Sequence, residues 1–368
     1  MKRKLTTCAV LLAGGRGTRF WPRSRMRTPK QLLNIVGGDT MLAATVRRLE
    51  PLLELKNFWA VTNVEQASAV RREMRGVPAA HILSEPLGRN TAAAIGLAAI
   101  HLAHEYGDAL MAVLPSDSYI ADARRYRKLV RAALELARAR GTMVVFGIPP
   151  TRPETGYGYV ERGDPLARPR GIRAFAVKRF TEKPQQRLAK RYVASRRYLW
   201  NGGTFFWRVS TFLDALEQFL PATHAALCGL SRFIGTAQYA SQLKRVYARL
   251  QNISVDYAVL EPATRVQAET RVAVIPANIG WSDIGSWAAV YELLAQRPGA
   301  NVSSGSMYAI DATGNYFWSP RKFVAAIGVR DLVLVETDDA VLVCSRGRSQ
   351  DVGKVVKQLE EMRRKELL

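Results

Sequence analysis

The sequence predicts an α/β fold, with a mostly parallel mixed sheet and helices on both faces, followed by a small β domain. Short apolar runs alternate with amphipathic helical patterns up to about residue 150, which is typical of strands joined by crossover helices. Beyond residue 298, short extended runs rich in Val, Ile, Asp and Gly replace that pattern. With 368 residues, 48% of them hydrophobic, the chain can bury one large core and a smaller appendage.

The first half of the chain contains a regular series of strands and helices. Each strand is predicted from a short apolar run, and each helix from apolar residues that recur every three or four positions. The predicted strands cover residues 8–13, 58–62, 81–83, 110–114 and 143–148, and the predicted helices cover residues 41–53, 64–74, 91–104 and 124–138. Because parallel strands need long crossover connections, this order predicts a Rossmann-like arrangement.

Residues 151–290 follow a different pattern, with glycine and aromatic residues clustered in ETGYGYV and YLWNGGTFFWR. Residues 172–181 are predicted to be extended, and helices are expected at residues 185–192 and 211–219. We interpret this region as the second half of the sheet, with inserted elements that form the wall of a cleft. Its consecutive aromatic residues at 205–207 are expected to lie in the core rather than to stack on a base.

The segment RPGAN near residue 298 ends the helical pattern of the large domain. The short extended runs that follow reach residue 345, and a charged amphipathic helix is predicted at residues 352–366. The predicted domains are therefore residues 1–297 and residues 298–368.

The net charge of +23, from 54 Lys and Arg against 31 Asp and Glu, first suggests contact with polyanions. The basic residues are dispersed along the chain, however, without a basic tail, zinc-finger spacing or an aromatic RNA-binding signature. We therefore expect no nucleic acid and interpret the charge first as the sign of an arginine-rich proteome. A basic surface would also help to collect anionic nucleotides and sugar phosphates. Nucleic-acid binding, the alternative, would show an affinity that falls steeply with salt.

The cysteines and the apolar runs indicate the compartment. Cys8, Cys228 and Cys344 are far apart and lack CxxC spacing, which argues against a disulfide framework and a zinc site. No run reaches the ~18 apolar residues that a membrane span requires, and the run after MKRKLTTC is too short for a signal peptide. We interpret that run as the first strand of a cytoplasmic protein that does not enter a membrane.

The segment LLAGGRGTRFWPRSRMRTPKQLL at residues 11–33 indicates phosphate binding. Three glycines follow the strand: Gly14, Gly15 and Gly17. Glycines let the backbone approach a phosphate closely and aim several N–H groups at it. Three basic residues add charge for a triphosphate: Arg16, Arg19 and Lys30. The spacing fits neither a Walker A loop nor a GxGxxG motif, because Phe20 stands where the last glycine of the latter would be.

Six further motifs occur in order along the chain. They are EPLGRNTAAA at 85–94, LPSD at 114–117, GYGYV at 156–160, FTEKP at 180–184, WNGGTF at 200–205 and GWSDIGSW at 280–287. Together with the loop, they make essentially the whole chain resemble the nucleoside-diphosphate-sugar pyrophosphorylases, and most of all the short bacterial mannose-1-phosphate guanylyltransferases. The resemblance implies a nucleotidyltransferase fold with a left-handed β-helix-like C-terminal domain. In the family that domain commonly supports oligomer contacts, so a homodimer is expected.

The resemblance also implies that GTP and α-D-mannose 1-phosphate are converted to GDP-mannose and diphosphate, with Mg²⁺ as cofactor. A phosphate nucleophile is ionised near pH 7, so positioning and charge neutralisation are needed rather than a catalytic base. Two alternatives stay open. One is an enzyme for another hexose 1-phosphate or nucleoside triphosphate, and the other is a non-catalytic regulatory subunit. Loss of Lys30, Asp117 or Asp283 would mark the latter, and all three are present.

The resemblance places the metal on Asp117 and Asp283, and Mg²⁺ does prefer one or two carboxylates with phosphate and water as its other ligands. Alternatively, Asp117 caps a helix and Asp283 is a turn residue. The family usually has His after the first aspartate, whereas this chain has Ser118, which puts any role of that position in doubt.

The expected nucleotide site includes the loop and the EPLGRNTA motif. Its residues are Leu12, Ala13, Gly14, Gly15, Gly17, Thr18, Arg19, Lys30, Glu85, Asn90 and Thr91. Guanine presents N1–H and N2–H donors, so the Glu85 carboxylate is our candidate acceptor. Asn90 and Thr91 could instead only cap the helix that follows them.

The family pattern places the sugar phosphate on four residues: Gly158, Glu182, Lys183 and Asn201. Glu182 and Asn201 would bind neighbouring hydroxyl groups, and Lys183 would meet the phosphate. Arg19, Lys30 and Lys183 are therefore the expected catalytic residues. The alternative for Glu182 and Lys183 is a solvated turn before a proline.

Overall fold

The computed structural model describes residues 5–139, 141–166, 168–265 and 271–368. Its large domain is built on a nine-stranded sheet and a two-stranded ribbon. The strands are β1 (Thr6–Leu12), β2 (Phe58–Asn63), β3 (Ile82–Glu85), β4 (Ala109–Pro115), β5 (Tyr119–Ile120), β6 (Thr142–Ile148), β7 (Tyr159–Pro165), β8 (Phe175–Thr181), β9 (Tyr198–Arg208), β10 (Arg271–Pro276) and β11 (Trp281–Ser282). The ribbon pairs β5 with β11.

The sheet is mixed, with the strand order β3-β2-β1-β4-β9-β6-β10-β8-β7. The first four strands are parallel, so their carboxyl ends meet along one edge. The long strand β9 runs antiparallel to β4, β6 and β7, and its register with β6 shifts at a bulge. The predicted mixed sheet is confirmed.

The helices are α1 (Met41–Leu49), α2 (Ala67–Glu73), α3 (Asn90–Tyr106), α4 (Ala123–Ala137), α5 (Gln186–Ser195), α6 (Val209–Phe219), α7 (Pro221–Ser231), α8 (Tyr239–Arg249), α9 (Glu261–Arg265), α10 (Trp287–Leu294) and α11 (Val352–Glu361). Alternate residues of β1 face opposite layers. Cys8 and Val10 belong to the core that includes residues of α3, α6, α7 and α8, whereas Ala9 and Leu11 belong to the core that includes residues of α1, α2, α4 and α5. Helices therefore cover both faces, as predicted.

Among the described residues, no helix combines the length and apolarity that a membrane crossing needs.

Several predicted helix ends differ from the structure for local reasons. Helix α1 ends at Leu49 because Pro51 has no backbone N–H with which to continue the helix, although Glu50 still has helical φ and ψ angles. Helix α2 begins only at Ala67, after a turn in which the Asn63 side chain accepts a hydrogen bond from the Gln66 backbone N–H. Helix α11 ends at Glu361, two residues before Arg363 turns to a φ of 57°.

The C-terminal segment forms short strands that stack as the coils of a β-helix. These strands are β12 (Val302–Ser303), β13 (Met307–Ile310), β14 (Tyr316–Trp318), β15 (Val324–Ile327), β16 (Leu332–Glu336) and β17 (Val341–Ser345). The parallel stacks are β12-β14-β16 and β13-β15, and β17 closes the end as an antiparallel partner of β16. Buried Asn315 donates to Asn301 and to the Val329 carbonyl, so it joins successive coils.

The C-terminal segment packs directly against the glycine-rich loop. Phe20 and Trp21 of the loop share an apolar core with Trp287, Tyr316 and residues of α11. The Trp287 indole N–H donates to the Trp21 carbonyl over 3.2 Å, and the Trp21 indole donates to the Leu367 carbonyl over 2.9 Å. The small domain thus packs against the side of the loop that carries Phe20 and Trp21.

Candidate active site

A cavity of about 420 Å³ lies at the carboxyl ends of the parallel strands, where open α/β sheets bind their ligands. Its walls come from the ends of β1, β3 and β4, from the start of α3 and from the bulge of β9. Seven of the predicted site residues line it: Leu12, Gly14, Gly15, Glu85, Asn90, Thr91 and Asp117. The structure thus brings the base-side residues and one predicted metal ligand to one cavity.

The glycine-rich loop is folded by bonds to its own backbone. Buried Gln31 donates to the Ala13 carbonyl over 2.8 Å and to the Gly15 carbonyl over 3.1 Å, and Ser24 donates to the Gly17 carbonyl over 2.7 Å. Gly17 has a φ of 60°, and a Cβ atom there would lie 2.5 Å from the Cβ of Lys30. Glycine at this position therefore lets the loop pass close to Lys30.

Replacing Gly17 with alanine is expected to destabilise the fold by roughly 2 kcal/mol and to reduce activity, because the new Cβ is strained and displaces Lys30. Thermal unfolding and steady-state rates would measure both effects. Gly38→Ala is the matched control, since no atom lies within 4 Å of a Cβ at Gly38 and its φ is not positive. Equal effects of the two substitutions would contradict the prediction.

Two residues expected in the nucleotide site lie next to α11. Thr18 and Arg19 belong to a short helical turn that contacts α11, where a Cβ on Gly353 would lie 3.5 Å from the Thr18 hydroxyl oxygen. Arg16 pairs with Glu360 of α11. Ala13, Gly17, Thr18 and Arg19 do not line the cavity, and their nucleotide roles stay predictions.

Lys30 joins the two predicted metal-binding segments. Its ammonium nitrogen lies 2.9 Å from the Asp117 carboxylate and 2.5 Å from the backbone carbonyl of Asp283. The ribbon explains this proximity, because β5 follows Asp117 and β11 precedes Asp283. Lys30 is only 6% exposed, so one buried cation contacts both segments that carry the predicted metal ligands.

Asp117 is not the helix cap that was its alternative, whereas Asp283 lies in the connection between β11 and α10, as a turn residue would. The N-cap of α4 is Asp122, whose carboxylate accepts a hydrogen bond from the backbone N–H of Arg125, and Asp117 lies before β5. The Asp283 carboxylate accepts a 2.5 Å hydrogen bond from the Tyr157 hydroxyl. Burial and that carboxylate raise the pKa of Tyr157, so the phenol stays protonated and holds Asp283 in place.

Glu85 is a buried carboxyl at the base side of the cavity. It is 6% exposed, and its Oε1 atom has no hydrogen-bond partner among the described residues. Burial raises the pKa of Glu85 to about 7. At the start of α3, the Asn90 side chain accepts from the Thr91 backbone N–H over 2.9 Å, and the Thr91 hydroxyl accepts from the Val255 N–H over 2.9 Å. Asn90 and Thr91 therefore bind local backbone and also line the cavity.

The four predicted sugar residues lie together beside this cavity. A Cβ on Gly158 would lie 2.4 Å from Oε2 of Glu182 and 3.3 Å from the Cβ of Asn201, so only glycine permits this approach. The Lys183 ammonium lies 2.9 Å from Oε1 of Glu182. The Glu182 side chain is only 7% exposed, which is unlike a solvated turn, whereas the Lys183 side chain is 54% exposed. Asn201 donates over 2.7 Å to Asp256, which lines the cavity.

Residues 8–298 match the family model described as nucleotidyl transferase. The chain belongs to the nucleotidyl transferase family. Residues 305–359 match the MannoseP isomerase/GMP-like beta-helix domain, in agreement with the stacked strands of this nucleotidyl transferase. The predicted family, fold class and enzyme class are thereby confirmed.

Relatives of this nucleotidyl transferase match almost its whole length. Mannose-1-phosphate guanylyltransferase of Salmonella muenchen is 38% identical, over 97% of this chain and 74% of the relative. Xanthan biosynthesis protein XanB of Xanthomonas campestris pv. campestris (strain B100) is 39% identical, over 97% of this chain and 74% of the relative. A crystal structure from Thermus thermophilus, described as mannose-1-phosphate geranyltransferase, is 35% identical with a TM-score of 0.86, over 97% of this chain and 100% of that one.

The site of this nucleotidyl transferase also contains residues that the sequence did not single out for a role. Gln31 folds the loop, Tyr157 holds Asp283, and Asp256 stands between the cavity and the sugar residues. Gln31 and Tyr157 lie within recognised motifs, and those motifs are the sequence signal that could have identified them as site residues. Asp256 lies in SVDYAVLE, outside every recognised motif, and only the fold brings it to Asn201.

Proposed function

We propose that this nucleotidyl transferase forms GDP-mannose and diphosphate from GTP and α-D-mannose 1-phosphate. The similarity over 97% of the chain to a mannose-1-phosphate guanylyltransferase carries the proposal. The cavity agrees with it chemically, because it has a buried carboxyl, Glu85, on the base side and Asp117 where phosphates would lie. The retained Lys30, Asp117 and Asp283 argue against a regulatory subunit without catalysis.

In the proposed reaction, a phosphate oxygen of the sugar phosphate attacks the α-phosphorus of GTP in line. A new P–O bond forms there, the bond from the α-phosphorus to the bridging oxygen breaks, and diphosphate leaves with that electron pair. The attacking phosphate is already ionised, so the chain supplies positioning and positive charge. Lys30 would neutralise charge on the nucleotide, with Arg19 as a further predicted cation, and Lys183 would hold the sugar phosphate.

Magnesium is the proposed cofactor, held by Asp117 and Asp283. Both offer hard carboxylate oxygens, and Mg²⁺ commonly takes one or two carboxylates together with phosphates and water. Within the described part of the chain, no three His, Cys, Asp or Glu residues form a metal cluster, so phosphates would have to complete the coordination. The bound ion would neutralise charge on the phosphates.

Replacing Glu85 with glutamine is expected to raise the KM for GTP about tenfold or more, because one charge-assisted acceptor for guanine is lost. The pKa of Glu85 is raised to about 7. The carboxyl therefore gains a proton as pH falls through about 7, and the KM for GTP should rise in wild type. KM profiles from acid to alkaline pH would measure this rise.

The Glu85→Gln variant is its own control for the pH profile. Titration of the GTP phosphates occurs equally in both proteins, so the difference between their profiles isolates Glu85. ITP, which lacks the N2 amino group, should lose its disadvantage against GTP in the variant. Parallel profiles and an unchanged KM would exclude Glu85 from base recognition.

The substrate assignment is tested by diphosphate release from a matrix of nucleoside triphosphates and hexose 1-phosphates, with and without Mg²⁺. We expect the highest kcat/KM with GTP and mannose 1-phosphate, and turnover only with the metal. A different best pair would keep the enzyme class and overturn the substrate assignment. No turnover with any pair would favour the regulatory subunit.

We also propose a homodimer that pairs the outer faces of two β-helix segments. Three large exposed apolar side chains lie on β13 and β15, namely Tyr308, Ile310 and Ile327, and a fourth, Phe323, directly precedes β15. Contiguous exposed apolar side chains of this kind mark interaction surfaces. Light scattering should give a dimeric mass for wild type and a monomeric mass for Ile327→Glu, and a monomeric wild type would reject the dimer. The cytoplasmic location stays a prediction.

A further inference from the structure

Asp256 stands where the cavity meets the predicted sugar residues. It lines the cavity together with Asp117 and Glu85. Its Oδ1 atom accepts a 2.7 Å hydrogen bond from the side-chain amide of Asn201. Asp256 therefore connects the base-side cavity with a residue that the sequence pattern assigned to the sugar.

A second carboxylate near Asp256 lacks a partner for one of its oxygens. The Glu182 side chain is only 7% exposed, and its Oε1 atom is paired with Lys183. Its Oε2 atom is buried with no hydrogen-bond partner among the described residues. A buried acceptor without a donor is costly, so this site is poised for a ligand that brings hydroxyl or other N–H or O–H donors.

The backbone holds Asp256 in place from the nucleotide side. Asp256 begins a π-helical turn, Asp256–Leu260, a kind of irregularity that is frequent at functional sites. The residue before it, Val255, donates to the Thr91 hydroxyl over 2.9 Å, and the Ala92 N–H donates to the Ile253 carbonyl over 3.3 Å. Asp256 is thus fixed relative to both the start of α3 and Asn201.

We propose that Asp256 is a sugar-binding residue of this enzyme, and that its carboxyl group and that of Glu182 bind hydroxyl groups of the hexose and help to select it. The inference rests on the proposed function, since it concerns the sugar half of that reaction. The Asp256 carboxyl is suited to this task, because its oxygens can accept from hydroxyl groups while the Asn201 amide fixes its orientation. Lys183 holds the Glu182 carboxylate in the same way.

The charges around Asp256 agree with such a role. Burial first, and then the neighbouring Glu182 carboxylate, raise the pKa of Asp256 to about 7, whereas Asn201 and Lys183 oppose that shift. Near neutral pH the group is present in both forms, so it can donate to a hydroxyl oxygen as well as accept from a hydroxyl group.

The test uses Asp256→Asn, which keeps an acceptor toward Asn201 and removes the charge. We expect the KM for mannose 1-phosphate to rise about tenfold or more and the KM for GTP to change less than about twofold. Calorimetry should show weaker binding of GDP-mannose and unchanged binding of GDP. Glu261→Gln is the matched control, since it lies further along the same segment, pairs with Arg265 and does not line the cavity.

Deoxy analogues of mannose 1-phosphate separate direct contact from a structural role. Removing the hydroxyl group that Asp256 binds should lower kcat/KM in wild type and have little further effect in Asp256→Asn. Equal penalties in both proteins, or weaker binding of GDP as well, would overturn the inference. Failure of the proposed function would instead appear in wild type, as a preference for another sugar, and the same analogue cycle would then use that sugar.

Discussion

Asp117→Asn and Asp283→Asn are each expected to lower kcat by about a thousandfold, because each removes a carboxylate that would hold the cofactor against the phosphates. Asparagine keeps the size of the side chain and its hydrogen-bond acceptor. In Asp283→Asn the 2.5 Å contact with the Tyr157 hydroxyl can therefore persist. The loss should thus arise from the metal rather than from a rearranged loop.

Turnover as a function of Mg²⁺ concentration and binding of Mn²⁺ in the presence of GTP would measure this effect. Both variants should bind Mn²⁺ more weakly, and the melting temperature of Asp283→Asn should be unchanged. Asp122→Asn is the matched control. The Asp122 carboxylate lies shortly after Asp117 in the chain and caps α4, and asparagine is an equally good cap. Undiminished Mn²⁺ binding in both variants would remove Asp117 and Asp283 from the metal site.

The predictable part of the fold is the part with strong local periodicity. The strands and helices of the first half appear in the predicted order, because each buried run or amphipathic pattern lies between clear turn signals. The helices Pro221–Ser231 and Tyr239–Arg249 were not predicted. The packing of the first of them includes a distant contact, in which Leu227 fits against Gly96, where a Cβ would lie only 2.5 Å away. Local periodicity carries no record of such a contact.

The residues of the candidate site also divide into those that local motifs predict and those that only the fold brings together. Gly17, Lys30 and Glu85 were singled out because motifs of fixed spacing contain them. Asp256 was missed, since its approach to Asn201 joins residues 55 positions apart through the bulged strand β9. The departure at Ser118 is a buried side chain, and nothing in the structure explains it.

Lys30→Met is expected to lower kcat by about a thousandfold, for a different reason from that of the aspartates. The ammonium contacts both the Asp117 carboxylate and the Asp283 carbonyl, so methionine leaves phosphate charge uncompensated beside the ribbon. Lys30→Arg should not restore activity, because a planar guanidinium fits poorly where a compact cation, 6% exposed, bridges two acceptors. Lys178→Met, on the exposed face of β8, is the control.

Binding of Mn²⁺ distinguishes the loss of activity in Lys30→Met from the loss of activity in the aspartate variants. In Lys30→Met both carboxylates remain and a competing cation is gone, so Mn²⁺ should bind at least as tightly as in wild type while turnover is lost. In the aspartate variants binding and turnover should fall together. Weaker Mn²⁺ binding in Lys30→Met would mean that Lys30 acts mainly by holding the two metal-binding segments together, and retained turnover would exclude it from catalysis.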